Sequence, residues 1–290
     1  MSWRVALQLG RVSNLPTVWS NGLVGVVLAG GGALDPRTLP LLLALSLFYV
    51  AGMYLNDAFD APIDARERPG RPIPAGEVRA RTVFAAGFAM MALGLGVLAW
   101  IGYGFRGGTG PAPLLAGLAL GAAIVLYDWH HKTNPLSPVL MGACRMLVYV
   151  TAGFAITAMP PPDLFLGALV LLAYLIGLTY FAKQEHLNAV QNFWPVAFLV
   201  VPVGYGLPFA LANATVAMML VLFIGWVGVA TFLLVRRAPG DVPRAVVALI
   251  AGIALVDAVL LASANNPSVA WLAVAGCFLT MALQHVVSGT

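Results

Sequence analysis

Apolar residues fill this chain in long unbroken blocks, not in the i, i+3, i+4, i+7 stripe of a helix with one wet face. Each block is roughly 20 residues long and bounded by Pro, Gly or Arg, the length at which a helix crosses a hydrocarbon core. The pattern predicts ten spans, at 14–31, 38–57, 80–103, 111–128, 138–158, 163–182, 193–210, 214–235, 243–263 and 268–286. No polar segment between them is long enough to hold a water-soluble domain. The expected fold is therefore all-α, a multispanning membrane bundle forming one domain over residues 1–290.

Composition agrees with the pattern. A soluble domain carries roughly 25% charged residues, whereas this chain of 290 residues is 9% charged and 61% hydrophobic. The net charge of +4 follows the positive-inside rule and does not point to nucleic acid. With the N-terminus in the cytoplasm, Arg4, Arg11, Arg66, Arg68, Arg71, Arg79, Arg81, Lys132, Lys183, Arg236, Arg237 and Arg244 face inward. Only Arg37 and Arg106 face outward, and Arg145 lies within a span. The expected location is a cell membrane, the inner one where there are two. The opening "MSWRVALQLGRVSNLP" reads as the approach to the first span, not as a signal peptide.

Several features have plain readings. Cys144 and Cys277 lie inside apolar blocks and suggest neither a disulfide framework nor a metal cluster. The loop "GYGFRGGTGPAP", 102–113, follows no predicted strand and is a poor phosphate cradle. Gly117 and Gly121 form a GxxxG in the fourth span, a helix-packing contact.

The chemistry gathers in three inward loops. In the first, "LNDAFDAPIDARERPGRPIPAG", residues 55–76, Asn56, Asp60 and Asp64 recur every four residues with Asp57 beside them. On a helix such residues share a face, and like charges so placed repel unless a cation lies between them. Hard oxygens in an open array suit Mg²⁺, which keeps waters and takes substrate phosphates as its remaining ligands. Arg66, Arg68 and Arg71 follow, and guanidinium groups bind phosphate in a bidentate fork. The set reads as a metal–diphosphate clamp. Topology asks for the arginines but not for spaced aspartates. Pro62 falls between Asp60 and Asp64 and predicts a break, with Asp60 capping a new helix.

The second loop, "YDWHHKTNPLSP", 127–138, offers Tyr127, Asp128, His130, His131 and Lys132. Adjacent histidines without HExxH do not make a zinc site. Lys132, or a protonated His131, is a phosphate contact, and an interfacial belt of Tyr, Trp and Lys explains the same residues. The third, "YFAKQEH", 180–186, supplies Lys183, Gln184, Glu185 and His186, as a site or as an interfacial cap. Arg145, about two turns inside its span, needs a polar partner there: substrate phosphate, Glu185 or Asp257. Snorkelling to the inward surface is its other reading. Asp257 and His285 read as packing hydrogen-bonders.

The stretch "NDAFDAPIDARERPGRPIPAG" resembles the first aspartate motif of the UbiA superfamily of intramembrane prenyltransferases, NDxxDxxxD followed by Arg-Pro. The order of elements is similar too: a motif after span 2, a Tyr/Lys segment after span 4 and a polar motif after span 6. The resemblance extends to about residue 263. It implies nine helices around a lipid-open cavity, so the tenth span is an addition. It also implies Mg²⁺ on a polyprenyl diphosphate, whose allylic carbocation alkylates an aromatic or other lipophilic acceptor. Carried over, Asn56, Asp60 and Asp64 are metal-side residues with Asp57 assisting, and Arg68 and Lys132 contact diphosphate. The family's second motif usually has two or more aspartates, where this chain has Glu185 beside Lys183 and His186. The phrases "YDWHHKTNPLSPVLMGACR" and "GLTYFAKQE" look most like the EboC-like subgroup.

The site expected from these readings has Asp60, Asp64, Lys132 and Glu185 in catalysis. Arg68, Arg71, Tyr127, Arg145 and Lys183 bind substrate, and Asn56, Asp57, Asp60 and Asp64 face the metal. The leading activity is Mg²⁺-dependent prenyl transfer at the cytoplasmic membrane face. The degenerate second motif leaves open a non-catalytic isoprenoid-lipid binder, and a transporter is a third reading disfavoured by the lack of paired interrupted helices.

Overall fold

The computed structural model describes residues 1–132, 134–183 and 193–287. Among these residues all regular secondary structure is helical: α1 (Trp3–Leu9), a 3-10 turn (Val12–Asn14), α2 (Leu15–Leu28), α3 (Thr38–Glu67), α4 (Ala80–Gly104), α5 (Ala112–His130), α6 (Ser137–Ile156), α7 (Pro162–Lys183), α8 (Val196–Leu199), α9 (Val201–Ala210), α10 (Ala214–Arg236), α11 (Asp241–Ser263) and α12 (Pro267–Gln284). Eight of them, α3 to α7 and α10 to α12, are long and apolar enough to cross a membrane. Large apolar side chains such as Leu93, Trp100, Leu115, Val221, Phe232 and Phe278 stand exposed on the outside. That is the surface of a protein solvated by lipid.

Two of the ten expected spans take a different form. The first shortens to the 14-residue α2, about 21 Å long and less than a hydrocarbon core. It is enclosed by α3, α6, α11 and α12. The seventh divides into α8 and α9. Pro202 stands at the break, where it removes a backbone N–H and restrains the residue before it.

The bundle has two packed halves sharing α2 and α6. In one, Phe48, Leu98, Leu120 and Ala152 join α3, α4, α5 and α6. In the other, Tyr174, Phe223, Leu249 and Ala270 join α7, α10, α11 and α12. The GxxxG glycines face α4: a Cβ on Gly117 would stand 2.3 Å from Leu98 Cδ1, and one on Gly121 3.1 Å from Met91 Sδ. They pack helices within one chain.

At one end, called here the far end, Arg37 precedes α3. Its guanidinium donates to Asp35 at 2.7 and 2.9 Å, to Ile156 O at 3.0 Å, to Ala155 O at 3.3 Å and to Gly107 O at 3.4 Å. The hydrogen bond from Arg37 holds the Asp35 carboxyl below its ordinary range. The acid and cation loops lie at the opposite end.

Candidate active site at the end of helix α3

Helix α3 carries the first motif into the site. It does not break at Pro62 but runs unbroken from Thr38 to Glu67. Proline deletes one backbone hydrogen bond, and here it does so within the last two turns with its ring exposed. The helix therefore projects about ten residues past the apolar block, and Asn56, Asp60 and Asp64 share one buried face as the spacing requires.

That face meets α5 because Gly52 lets Ile124 approach; a Cβ on Gly52 would lie 3.1 Å from Ile124 Cγ2. One turn further along both helices, Asn56 Nδ2 donates to Asp128 Oδ1 at 3.1 Å. Next, Lys132 Nζ lies 3.2 Å and His131 Nε2 3.5 Å from Asp60 Oδ2. The Tyr127 ring stacks on the His131 imidazole with centroids 4.9 Å apart.

Asp57 lies beside this face and engages two guanidiniums. Arg71 Nη1 donates to Asp57 at 2.9 Å and to Asp64 at 3.1 Å, while Arg11 Nη2 donates to Asp57 at 3.1 Å. Arg11 entered the sequence reading only as a topology residue. It is in the left-handed region, φ 41°, at the turn between α1 and the 3-10 helix, and that turn aims it at Asp57 from 46 residues away. Nothing local in the sequence signals the pairing.

The other expected residues are placed as follows. Arg68 caps α3 through its backbone N–H on Asp64 O, and its exposed side chain touches none of the acids. Lys183 Nζ donates to Ser137 Oγ at 2.7 Å and Asn134 O at 3.0 Å, which ties α7 to the turn before α6 and not to an aspartate. Arg145 sits deeper, with Nη1 on Asn21 Oδ1 at 3.0 Å and its guanidinium over the Tyr49 ring. Among the described residues its hydrogen-bond partner is Asn21, and Asp257 is not bonded to it directly. Glu185, with Gln184 and His186, lies outside the described residues.

Two carboxylate oxygens in the cluster are buried without a hydrogen-bond partner, Asp64 Oδ1 and Asp128 Oδ2. Such an atom costs about 1–3 kcal/mol, and among the described residues neither oxygen has its partner. Among the described residues, no three His, Cys, Asp or Glu side chains form a ready metal cage. The donor chemistry still fits Mg²⁺, which is held by one or two carboxylates and completed by water and phosphate oxygens. Arg11, Arg71, His131 and Lys132 ring the same acids with donors suited to phosphate.

Comparison with known proteins decides the family. The model of the UbiA prenyltransferase family matches residues 18–238, more than half of the chain. The chain belongs to the UbiA prenyltransferase family. A digeranylgeranylglyceryl phosphate synthase of Methanopyrus kandleri is 30% identical over 224 residues, 73% of this chain and 74% of that protein. The like-named enzyme of Pyrococcus horikoshii is 27% identical over 59% of this chain and 57% of that one. Among solved structures, one from work on digeranylgeranylglyceryl phosphate synthase in membranes superposes with a TM-score of 0.60 at 20% identity, over 91% of this chain and 97% of that chain. A UbiA homolog from Aeropyrum pernix K1 gives a TM-score of 0.52 at 19% identity, over 93% and 98%. Neither the family model nor these relatives separates the EboC-like subgroup from the rest.

Membership in this family of transferases establishes the coarse activity, transfer of a prenyl group from an isoprenoid diphosphate to an acceptor. The long apolar helices and the family together make the chain an integral membrane protein.

Proposed function

We propose that this chain, acting as one unit over residues 1–290, is a Mg²⁺-dependent prenyltransferase working at the cytoplasmic face of the membrane on a lipophilic acceptor. The observation that carries the reading is the pair of buried, unpartnered oxygens on Asp64 and Asp128, set among acids and cations at one end of α3. Asn56, Asp60 and Asp64 on α3, with Asp128 facing them, are the residues that would hold the ion; Asp57 orients Arg11 and Arg71. Mg²⁺, when bound, supplies charge neutralisation for the diphosphate.

The protein's own groups do the rest. Arg71 and Lys132, beside the acids, bind the diphosphate oxygens and hold the donor by its head. The allylic C1–O bond breaks with its electron pair leaving on diphosphate, and an acceptor lone pair forms the new bond to C1. The acceptor's proton departs to the diphosphate or a nearby carboxylate. Apolar walls keep water from the carbocation, and the Tyr127 ring offers it a π face. The glyceryl group in the relatives' names favours a hydroxyl acceptor over an aromatic one.

The inward excess of Arg and Lys supports a cytoplasmic N-terminus and an inner-membrane location. The test is diphosphate release by purified protein with Mg²⁺ and a panel of allylic diphosphates, beside Asp60→Ala and Asp64→Ala. Release that needs metal and disappears in both variants is expected. Metal-dependent donor binding without release would leave an isoprenoid-lipid binder instead.

A further inference from the structure

Helix α12 ends beside the turn that brings Arg11 to the acids. Its residues Ala273, Cys277, Thr280 and Gln284 follow one another at spacings of four, three and four, a single helix face. The first three are buried, and the helix packs on α11, α2 and the 3-10 turn. Gln284 closes this face with a long polar side chain where the others are small. A glutamine at the end of a span ordinarily faces water, but this one turns inward. Its Nε2 donates to Oδ1 of the buried Asn14 at 2.9 Å, across 270 residues. Gln284 Oε1 has no partner among the described residues, so the bond to Asn14 is what fixes the amide. Both partners lie outside residues 18–238, the stretch that the family model matches.

Asn14 closes the 3-10 turn that follows Arg11. Its backbone N–H donates to Arg11 O at 3.1 Å, and Tyr49 Oη donates to the same carbonyl at 3.2 Å. The Arg11 N–H in turn donates to Gln8 O at 3.1 Å. These bonds hold Arg11 in the left-handed region, φ 41°. A residue with a Cβ adopts that conformation only where its surroundings impose it. A turn less firmly held would relax, and the guanidinium would leave Asp57.

What depends on Arg11 is how Asp57 is shared. Oδ1 of that carboxylate accepts from Arg11 Nη2 at 3.1 Å and from Arg71 Nη1 at 2.9 Å. Arg71 Nη1 also reaches Asp64 Oδ2 at 3.1 Å. With Arg11 in place, two cations answer Asp57 and Arg71 stays poised between two acids. Without Arg11, Asp57 pulls on Arg71 alone and draws it away from any phosphate that it binds.

We infer that Gln284 is a positioning residue for the donor site: through Asn14 it fixes the turn that aims Arg11 at Asp57, which makes α12 part of the apparatus that grips diphosphate. The inference rests on the α3 acids being the donor site. Gln284 touches no substrate and acts through Arg11.

The test uses full-length protein in lipid nanodiscs and geranylgeranyl thiodiphosphate, an inert donor analogue, titrated in the presence of Mg²⁺. Wild type is compared with Gln284→Met, Arg11→Gln, the two combined, and Val274→Ala. Methionine keeps the length of glutamine and removes its amide. Val274 is a core residue of α12, ten residues and about 15 Å back along the helix. Gln284→Met should weaken binding about threefold, the net scale of one hydrogen bond. Arg11→Gln should weaken it about tenfold. The combined variant should bind no more weakly than Arg11→Gln, because the aim of a guanidinium no longer matters once it is gone. Val274→Ala should lower the melting temperature and leave affinity for the analogue at the wild-type level. Wild-type affinity in Gln284→Met overturns the inference. So does a further threefold loss when Gln284→Met is added to Arg11→Gln, since the two would then act apart. A loss in Val274→Ala equal to that in Gln284→Met also overturns it, by reducing Gln284 to general packing. Failure of wild type to bind the analogue would instead strike the donor site, and the inference with it.

Discussion

The two ends of the bundle treat charge in opposite ways. At the far end, Asp35 and Arg37 meet through two hydrogen bonds, and the remaining guanidinium donors go to the carbonyls of Gly107, Ala155 and Ile156. The protein itself answers both members of this ion pair. At the other end, Asp57, Asp60 and Asp64 crowd onto one helix end, and their cations answer them only in part: Asp64 Oδ1 and Asp128 Oδ2 remain buried and unpartnered. A satisfied network holds helices together, whereas buried groups left without partners ask for an explanation. The contrast separates the Arg37 ion pair from the charges that the proposed function draws on.

The comparison can be broken most severely at the acids. Asp60→Asn and Asp64→Asn should each lower diphosphate release by at least about a hundredfold, the scale of losing a group aimed at developing charge. The detergent melting temperature should hold or rise, because a crowded like charge has gone; a large fall would make these acids structural. A smaller effect is expected at Arg71, which bridges Asp57 and Asp64. Arg71→Ala should weaken allylic thiodiphosphate binding about tenfold, read by titration with and without Mg²⁺.

The far end should respond in the reverse sense. Arg37→Ala leaves carbonyls and Asp35 without their donor and should cost about 1–3 kcal/mol of stability, with thiodiphosphate affinity unchanged. Loss of donor affinity in that variant would erase the distinction between the ends. The smallest effect is one of pH. Asp35 has its pKa lowered by the hydrogen bond from Arg37, so the pair stabilises the fold above the ordinary carboxylate range. That contribution fades as pH falls through the lowered value. Melting curves between about pH 6 and pH 3 should therefore show a slightly steeper acid loss for wild type than for Asp35→Asn.

The local signals in the sequence carried far. Apolar blocks place α4 to α7 and α10 to α12 to within about two or three residues, and the start of α3, whose end runs ten residues past its block, because a span's length and hydropathy are properties of contiguous residues. The i, i+4 array on α3 was legible for the same reason. Pro62 misled because proline's local penalty is one hydrogen bond, small beside the packing of a helix otherwise intact. Contacts across the fold were not legible: Arg11 meets Asp57 across 46 residues and Asn21 meets Asp257 across 236. Both depend on how distant helices and turns meet, which no window along one helix records. Tyr149 and Ser20, each an ordinary polar residue in an apolar block, gave no hint that they share the carboxylate of Asp257.

The Arg37 latch also limits motion. By binding the carbonyl end of α6 and the loop between α4 and α5 at once, it joins those elements at the far end. Drawing α6 away from that loop means breaking all three of these hydrogen bonds together, so the two elements move as one body.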